Sequence, residues 1–196
     1  MPLFREGRWA GLLTALLVSI AAAQPLEERL KVCAGCHGQD GNSKLPGTPS
    51  LAGQPKLFLE NYLVLTREGL RGNEAMQKLL HGVADREIVA LAVHYSKLPA
   101  KPGEGATDRA RFERGRQAAA KNRCGNCHRP DYSGQQQMPR LAGQREDFLF
   151  ETMLAYRHNR RQGGDTMMTA ALYGIPEADL QAMAHYLARV RAGTRR

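Results

Sequence analysis

The stretch Cys33-Ala34-Gly35-Cys36-His37 occurs a second time in the chain, as Cys124-Gly125-Asn126-Cys127-His128. Two thiols three residues apart lie on one side of a helical turn, where both can reach vinyl groups of one porphyrin and form thioether bonds. The histidine that follows can then supply an axial nitrogen to the iron. Cys-x-x-Cys-His is the attachment signature of c-type haem. Because the two copies use all four cysteines, the sequence predicts two covalently attached haem c groups, held by Cys33, Cys36, Cys124 and Cys127, with His37 and His128 as iron ligands.

Other uses of paired cysteines explain less of this pattern. Four cysteines in two pairs could bind one zinc ion, but zinc does not explain a histidine in the same place after each pair. A thioredoxin-like dithiol should lie beside a βαβ pattern, and the sequence offers none. Two disulfides would suit an oxidising compartment, yet pairs this close in sequence rarely serve as structural cross-links.

Residues 1–23 have the composition of a secretory signal peptide. Arg5 and Arg8 precede an apolar run from Trp9 to Ile20, and three alanines follow at residues 21–23. A retained anchor is the alternative, although the run is short against the about 20 residues that a membrane span needs. Export agrees with haem attachment, which takes place on reduced thiols beyond the inner membrane. The predicted location is therefore the bacterial periplasm or an equivalent space.

The rest of the chain is an internal duplication. Pro49-Ser50-Leu51-Ala52-Gly53-Gln54 returns as Pro139-Arg140-Leu141-Ala142-Gly143-Gln144, and His94-Tyr95 returns as His185-Tyr186. A Pro- and Gly-containing segment separates the copies. We therefore predict an N-terminal domain at residues 24–98, a linker at 99–108 and a C-terminal domain at 109–196.

Each copy is predicted to be helical. Helices are predicted at 26–33 and 110–123, leading into the two motifs, and apolar residues at helical spacing indicate further helices at 56–67 and 146–158. Acidic residues at 85–87 and 177–179, the second group after Pro176, mark the start of a final helix in each copy. No strand pattern is present, so the predicted fold class is all-α, with two tandem domains each wrapped around one haem.

A late methionine in each copy is the candidate for the second axial ligand. Met76 lies 39 residues after His37, and Met168 lies 40 residues after His128. Paired His and Met ligands are typical of electron-carrying c-type haems. Met167 competes with Met168, but the repeat alignment from Met168 to Ile175 favours Met168.

The remaining four histidines are not predicted to bind iron. His94 and His185 are expected to pack or to hydrogen-bond at the surface, and His81 and His158 lack repeat partners. Pro49 and Pro139 stand where a backbone carbonyl could accept a hydrogen bond from the axial imidazole.

Taken together, the duplicated Cys-x-x-Cys-His, Pro-x-Leu-Ala-Gly-Gln and late methionine resemble the dihaem class I cytochromes c, specifically the cytochrome c4 family. The resemblance implies two helical domains facing each other, haem propionates near their interface, and delivery of electrons to a terminal oxidase. It also implies that Cys33, Cys36, His37 and Met76 serve one haem, and Cys124, Cys127, His128 and Met168 the other.

The favoured function is a non-enzymatic electron carrier between respiratory partners, such as a membrane-bound cytochrome complex and a terminal oxidase. Two six-coordinate irons leave no site for substrate. The alternatives are a dihaem oxidoreductase of thiosulfate dehydrogenase or peroxidase type, and a haem subunit of a larger redox complex.

Positive charge is concentrated in the second copy. Residues 24–100 carry 9 Lys and Arg against 8 Asp and Glu, whereas residues 101–196 carry 17 against 10. A periplasmic protein has no nucleic acid to bind, but anionic lipid headgroups are a further target through peripheral membrane association. The asymmetry predicts that the C-terminal domain docks on an acidic redox partner through arginines such as Arg157, Arg160 and Arg161.

Overall fold

The computed structural model describes residues 26–103 and 105–193. The signal peptide predicted at residues 1–23 lies outside these ranges. The described residues form nine helices: α1 (Leu26–His37), α2 (Lys56–Arg67), α3 (Glu74–Leu80), α4 (Asp85–Lys97), α5 (Arg109–Lys121), α6 (Cys124–His128), α7 (Glu146–Arg157), α8 (Thr166–Leu172) and α9 (Glu177–Arg189). They contain no strand, only an isolated bridge between Gln135 and Met138. The all-α prediction is confirmed.

In the N-terminal half, α2 packs against α3 and α4, and α1 packs against α4. The buried side chains form two separate clusters rather than one core. Leu59, Leu91 and Tyr95 belong to the first cluster, and Leu80 and Ile88 to the second. Such a small, divided core buries little apolar surface for the length of the chain.

In the C-terminal half, α9 packs against both α5 and α7, and α8 packs against α7. One continuous core joins these helices, with Leu149, Leu180, Met183 and Leu187 among its most buried members. The approach of α5 to α9 is very close at Gly115, where an added Cβ would lie 2.0 Å from the carbonyl oxygen of Ala182. Only glycine fits this helix crossing.

The two Cys-x-x-Cys-His stretches are both helical but begin differently. In the first half, α1 continues through the cysteines to His37. In the second half, α5 ends at Lys121, and Arg123 adopts a left-handed conformation (φ 54°) before α6 begins at Cys124. The sequence predicts this helix over residues 110–123, so it ends two residues earlier than expected.

The segment between the halves is fixed on both sides. Lys101 forms an ion pair with Asp40 at 2.5 Å, and its N–H donates to the Asn42 side chain. On the other side, the Gly103 N–H donates to the carbonyl of Ala188 at 2.6 Å. The chain at the predicted linker therefore contacts both halves, while the exact domain boundaries stay a prediction.

None of the helices in the described part of the chain combines the length and apolar character needed to cross a membrane.

Candidate functional site

The cysteine pairs have the same setting in both halves. Cys33 and Cys124 are partly buried, Cys36 and Cys127 are exposed, and none of the four forms a disulfide. Burial raises the pKa of Cys33 and of Cys124. The first cysteine of each pair is thus the more buried one, and this asymmetry is the same in both halves.

The two axial histidine candidates also match in detail. His37 and His128 are buried, and the Nδ1 of each lies 2.8 Å from a proline carbonyl, that of Pro49 or Pro139. Because a carbonyl can only accept, Nδ1 carries the proton in each ring. Desolvation lowers the pKa of both imidazoles, although the proline carbonyls oppose this shift. Both rings are therefore held neutral, with the Nε2 lone pair available to a metal.

An orphaned atom tests whether a haem fits the second half. Nε2 of His128 is fully buried and has no hydrogen-bond partner among the described residues. A buried polar atom without a partner carries a desolvation cost, which coordination to iron would remove. The residues present therefore fit an axially ligated haem.

The two adjacent methionines of the second half differ sharply in position. Met168 is partly buried and packs against the C-terminal core, whereas Met167 is 75% exposed. In the first half, Met76 is partly buried beside the cluster of Leu80, Val83 and Ile88. Met76 and Met168 lie on the short helices α3 and α8. The sequence placed both methionines between two longer helices without predicting these short ones.

The proline segments from the two halves meet each other. Gln54 donates from Nε2 to the Arg140 carbonyl at 3.0 Å and accepts from the Arg140 N–H at 2.9 Å. Gln144 donates to the Ser50 carbonyl at 2.9 Å and accepts from the Ser50 N–H at 2.7 Å. We call these four bonds the crossed glutamine contacts. All four residues are buried.

Arg140 is a buried cation at the same interface. Its side chain is 2% exposed; Nε donates to the Ala52 carbonyl at 3.1 Å and Nη1 donates to the Ala142 carbonyl, while Nη2 is buried without a partner. Burial lowers the pKa of the guanidinium to about 10. Ser50 occupies the matching place in the first repeat, so this charge belongs to one half alone.

Two further arginines lie at the boundary between the halves. Arg71 and Arg161 lie 90 residues apart and stack on Tyr62 and Tyr156, with centroid distances of 4.9 and 5.2 Å. Arg71 also donates across the boundary to the Tyr156 hydroxyl at 2.8 Å. Nε of each arginine is buried and unpartnered. Sequence reasoning missed Arg71, although its match to Arg161 at the repeat spacing was a signal that could have found it.

His185 differs from its expected surface position. It is 3% exposed; its Nε2 accepts the Asp108 N–H at 3.1 Å and its Nδ1 lies 3.2 Å from both Glu146 carboxylate oxygens. The prediction of hydrogen bonding was right, but the surface placement was wrong because the chain leading into α5 covers this face of α9. His81 and His158 are exposed, and His94 stacks edge-on against Tyr95.

The zinc alternative finds no support in the described ranges, where no three His, Cys, Asp or Glu side chains converge on one point. The disulfide alternative is likewise unsupported, because each cysteine is unpaired.

Comparison with known proteins agrees with this geometry. The cytochrome c family model matches residues 112–191. Cytochrome c4 of Pseudomonas aeruginosa is 28% identical over 89% of this chain and 92% of its own. The thiosulfate dehydrogenase electron acceptor of Thiomonas intermedia is 31% identical over 87% of this chain and 82% of its own.

The fold comparison points the same way. The crystal structure of reduced recombinant cytochrome c4 from Pseudomonas stutzeri superposes with a TM-score of 0.74 at 26% identity, covering 86% of this chain and 100% of that one. Duplicated Cys-x-x-Cys-His motifs, matched buried histidines and similarity along both halves lead to one conclusion. The chain belongs to the cytochrome c4 family of electron-transfer cytochromes and carries two covalently attached haem c groups.

Proposed function

We propose that this protein is a periplasmic carrier that passes single electrons between respiratory partners, towards a terminal oxidase. The observation that carries the proposal is the repeated axial site, a neutral histidine held by a proline carbonyl in each half with a partly buried methionine on a short helix later in the same half. Matched His and Met ligands would leave neither iron with an open position. Transfer of electrons, rather than binding of substrate, is the chemistry that such centres support.

The proposed ligands divide by half. Haem supplies reversible one-electron redox chemistry, and the protein holds and insulates it. The proline carbonyls hold His37 and His128 in orientation, which would leave Nε2 of each ring free to ligate the iron. The first site comprises Cys33, Cys36, His37 and Met76, and the second comprises Cys124, Cys127, His128 and Met168.

The buried arginine donors suit the carboxylates that each haem brings. Within residues 26–103 and 105–193, no partner is found for Nη2 of Arg140 or for Nε of Arg71 and Arg161. All three arginines lie where the two halves meet. We propose that they donate to haem propionates there, which would offset the desolvation of both the cations and the anions.

The relative from Thiomonas intermedia bears on the electron donor. It is described as the electron acceptor of a thiosulfate dehydrogenase. A thiosulfate-oxidising enzyme is therefore our candidate donor, and this relationship favours a carrier over an enzyme for the present chain.

Ligand binding tests the carrier function against the enzyme alternative. Oxidised protein with both haems is mixed with cyanide, and the visible spectrum is followed in time. Two six-coordinate irons should bind cyanide only slowly, because methionine must first dissociate. Rapid binding at one haem, together with reduction by thiosulfate in the absence of another enzyme, would instead support a dihaem oxidoreductase.

Most of the arginines that the sequence indicated for docking contact other groups within the protein. Arg157 donates to the Ile175 carbonyl at 2.9 Å and lies 3.3 Å from Glu177, and Arg161 stacks on Tyr156. Two of the three arginines named from sequence are thus engaged within the protein, and Arg160 is the exposed one.

A different set of cations surrounds the second attachment site. Lys121, Arg123 and Arg129 are exposed and flank the exposed Cys127. A haem attached at Cys127 would bring an edge of its porphyrin to this surface. Asp131 is the nearby acid, and it partly offsets Arg129. We call Lys121, Arg123 and Arg129 the basic edge.

The corresponding positions in the first half are Leu30, Val32 and Gly38, which carry no charge, and the one cation between them, exposed Lys31, lies 3.8 Å from Glu28. Only the C-terminal haem therefore has the basic edge beside its attachment site. We propose that this edge docks on an acidic redox partner, and that the less basic edge of the N-terminal haem meets a partner of different character.

A further inference from the structure

The hydrogen bond from each axial histidine is the first in a short chain of hydrogen bonds that reaches the opposite half. His37 Nδ1 donates to the carbonyl of Pro49, and the same peptide unit donates its N–H, that of Ser50, to Gln144 Oε1 at 2.7 Å. In the second half, His128 Nδ1 donates to the carbonyl of Pro139. That peptide unit donates its N–H, that of Arg140, to Gln54 Oε1 at 2.9 Å. One peptide group therefore separates each axial ligand from a glutamine of the other half.

A peptide group transmits polarisation because its C=O and N–H are conjugated. When the N–H donates, the carbonyl oxygen becomes a better acceptor, and hydrogen bonds in such chains strengthen one another by about 10–30% each. A stronger bond to Nδ1–H makes the imidazole a more basic ligand. A more basic ligand stabilises oxidised iron and lowers the reduction potential.

The orientation of each glutamine amide is fixed by its second bond. Gln144 Nε2 donates to the Ser50 carbonyl and Gln54 Nε2 donates to the Arg140 carbonyl, so neither amide can rotate without losing both bonds. Gln144 Oε1 also accepts from the Arg145 N–H at 2.9 Å. Since these amides are 3–4% exposed, water cannot replace them.

We propose that the two glutamines are crossed positioning residues: Gln144 tunes the haem of the N-terminal half through Pro49 and His37, and Gln54 tunes the haem of the C-terminal half through Pro139 and His128. The inference rests on the axial ligation proposed above. It assigns each haem a determinant of its potential in the half that does not bind it.

The test is a redox titration of the two-haem protein, followed by NMR with haem methyl signals assigned to each half. Gln144→Leu should raise the potential of the N-terminal haem and leave the C-terminal haem nearly unchanged. Gln54→Leu should do the reverse. Shifts confined to the haem of the mutated half, or equal shifts of both haems, would overturn the proposal.

A second variant tests whether the reduction potential changes through the hydrogen bond itself or through a looser interface between the halves. Gln144→Glu keeps an oxygen acceptor for the Ser50 N–H in either protonation state, so the N-terminal haem should return to the wild-type potential or fall below it. If Gln144→Glu raises that potential as much as Gln144→Leu does, the hydrogen bond is not the cause. Absence of crossed shifts with the methionine absorption intact would refute this inference while leaving the carrier function standing.

Discussion

Met167 and Met168 are neighbours in sequence, yet only Met168 packs against the core. One residue along a helix rotates a side chain by about 100°, since 3.6 residues make a turn. The repeat alignment, which pairs Met168 with Met76, therefore already distinguishes Met168 from Met167. The alignment does not indicate that Arg140 is buried, because a single arginine beside a proline is expected at the surface.

We expect Met168→Ala to abolish about half of the weak methionine-to-iron absorption at the red end of the oxidised spectrum, since one of two proposed His and Met sites is lost. Met167→Ala is the matched control and should leave this absorption intact, because its side chain is exposed. The reverse result would show that the proposed ligand is displaced by one residue.

Replacing Arg140 with Met should lower the potential of at least one haem. A buried cation disfavours the more positive oxidised iron, and its removal relieves that effect. Potentiometric titration measures the shift, with Arg160→Met as the control because Arg160 is exposed. Equal potentials in the wild type and the Arg140 variant would argue against a guanidinium close to a haem.

At the scale of helices, the sequence predicted the long elements and missed the short ones. Helices α2 and α7 agree with their predicted ranges to within one residue because each carries a clear apolar face, and α4 and α9 begin at their predicted acidic starts. Helices α3 and α8 have 7 residues each. Two turns are too short for periodicity to reveal, and Asn73 and Asp165, which cap them by accepting backbone N–H groups, were the available signal.

The crossing of α5 and α9 gives a stability prediction. Gly115→Ala would place a Cβ against the Ala182 carbonyl, so the helices must separate. Overpacking of this kind costs about 1–3 kcal/mol, which corresponds to a Tm lower by roughly 2–12 °C for a chain of this size. Thermal unfolding followed by circular dichroism measures the change.

Gln117→Ala provides the control on the same helix. Gln117 is exposed and donates a hydrogen bond to the nearby Glu113 side chain at 2.9 Å. Its replacement by alanine should therefore change Tm little. A Gly115→Ala protein as stable as this control would show that the helices can separate at no cost.

At the scale of the molecule, the duplication was visible in the sequence but the mutual placement of the halves was not. Gln54 and Gln144 were recognised as parts of a repeated segment, and nothing in the pattern indicated that they face each other. Contacts between residues about 90 positions apart depend on the packing of whole domains, which local periodicity does not encode. His185 was misplaced for the same reason, since the chain that buries it comes from another element.

The basic edge gives a prediction at this scale. We expect the rate of electron transfer from the reduced protein to ferricyanide, a trivalent anion, to fall as ionic strength rises, because salt screens the attraction to Lys121, Arg123 and Arg129. Changing all three residues to Glu should reverse that dependence for the C-terminal haem. Stopped-flow spectroscopy measures both effects.

A charge-matched control isolates the position of these cations from the net charge. Arg86, Arg109 and Arg160 are exposed and lie away from the attachment sites in sequence, and changing them to Glu alters the net charge equally. This control should keep most of the salt dependence of the wild type. The same loss in both triple variants would assign the effect to overall charge and remove the argument for a local docking edge.

The crossed glutamine contacts have the symmetry of a homodimer. In an isologous interface, residue i of one copy contacts residue j of the other and the reciprocal contact also forms. Gln54 on the backbone of Arg140 and Gln144 on the backbone of Ser50 follow this rule within a single chain. A short covalent connection holds two partners at an effective concentration of about millimolar. The protein is in this sense a fused dimer, whose association no longer depends on its own concentration.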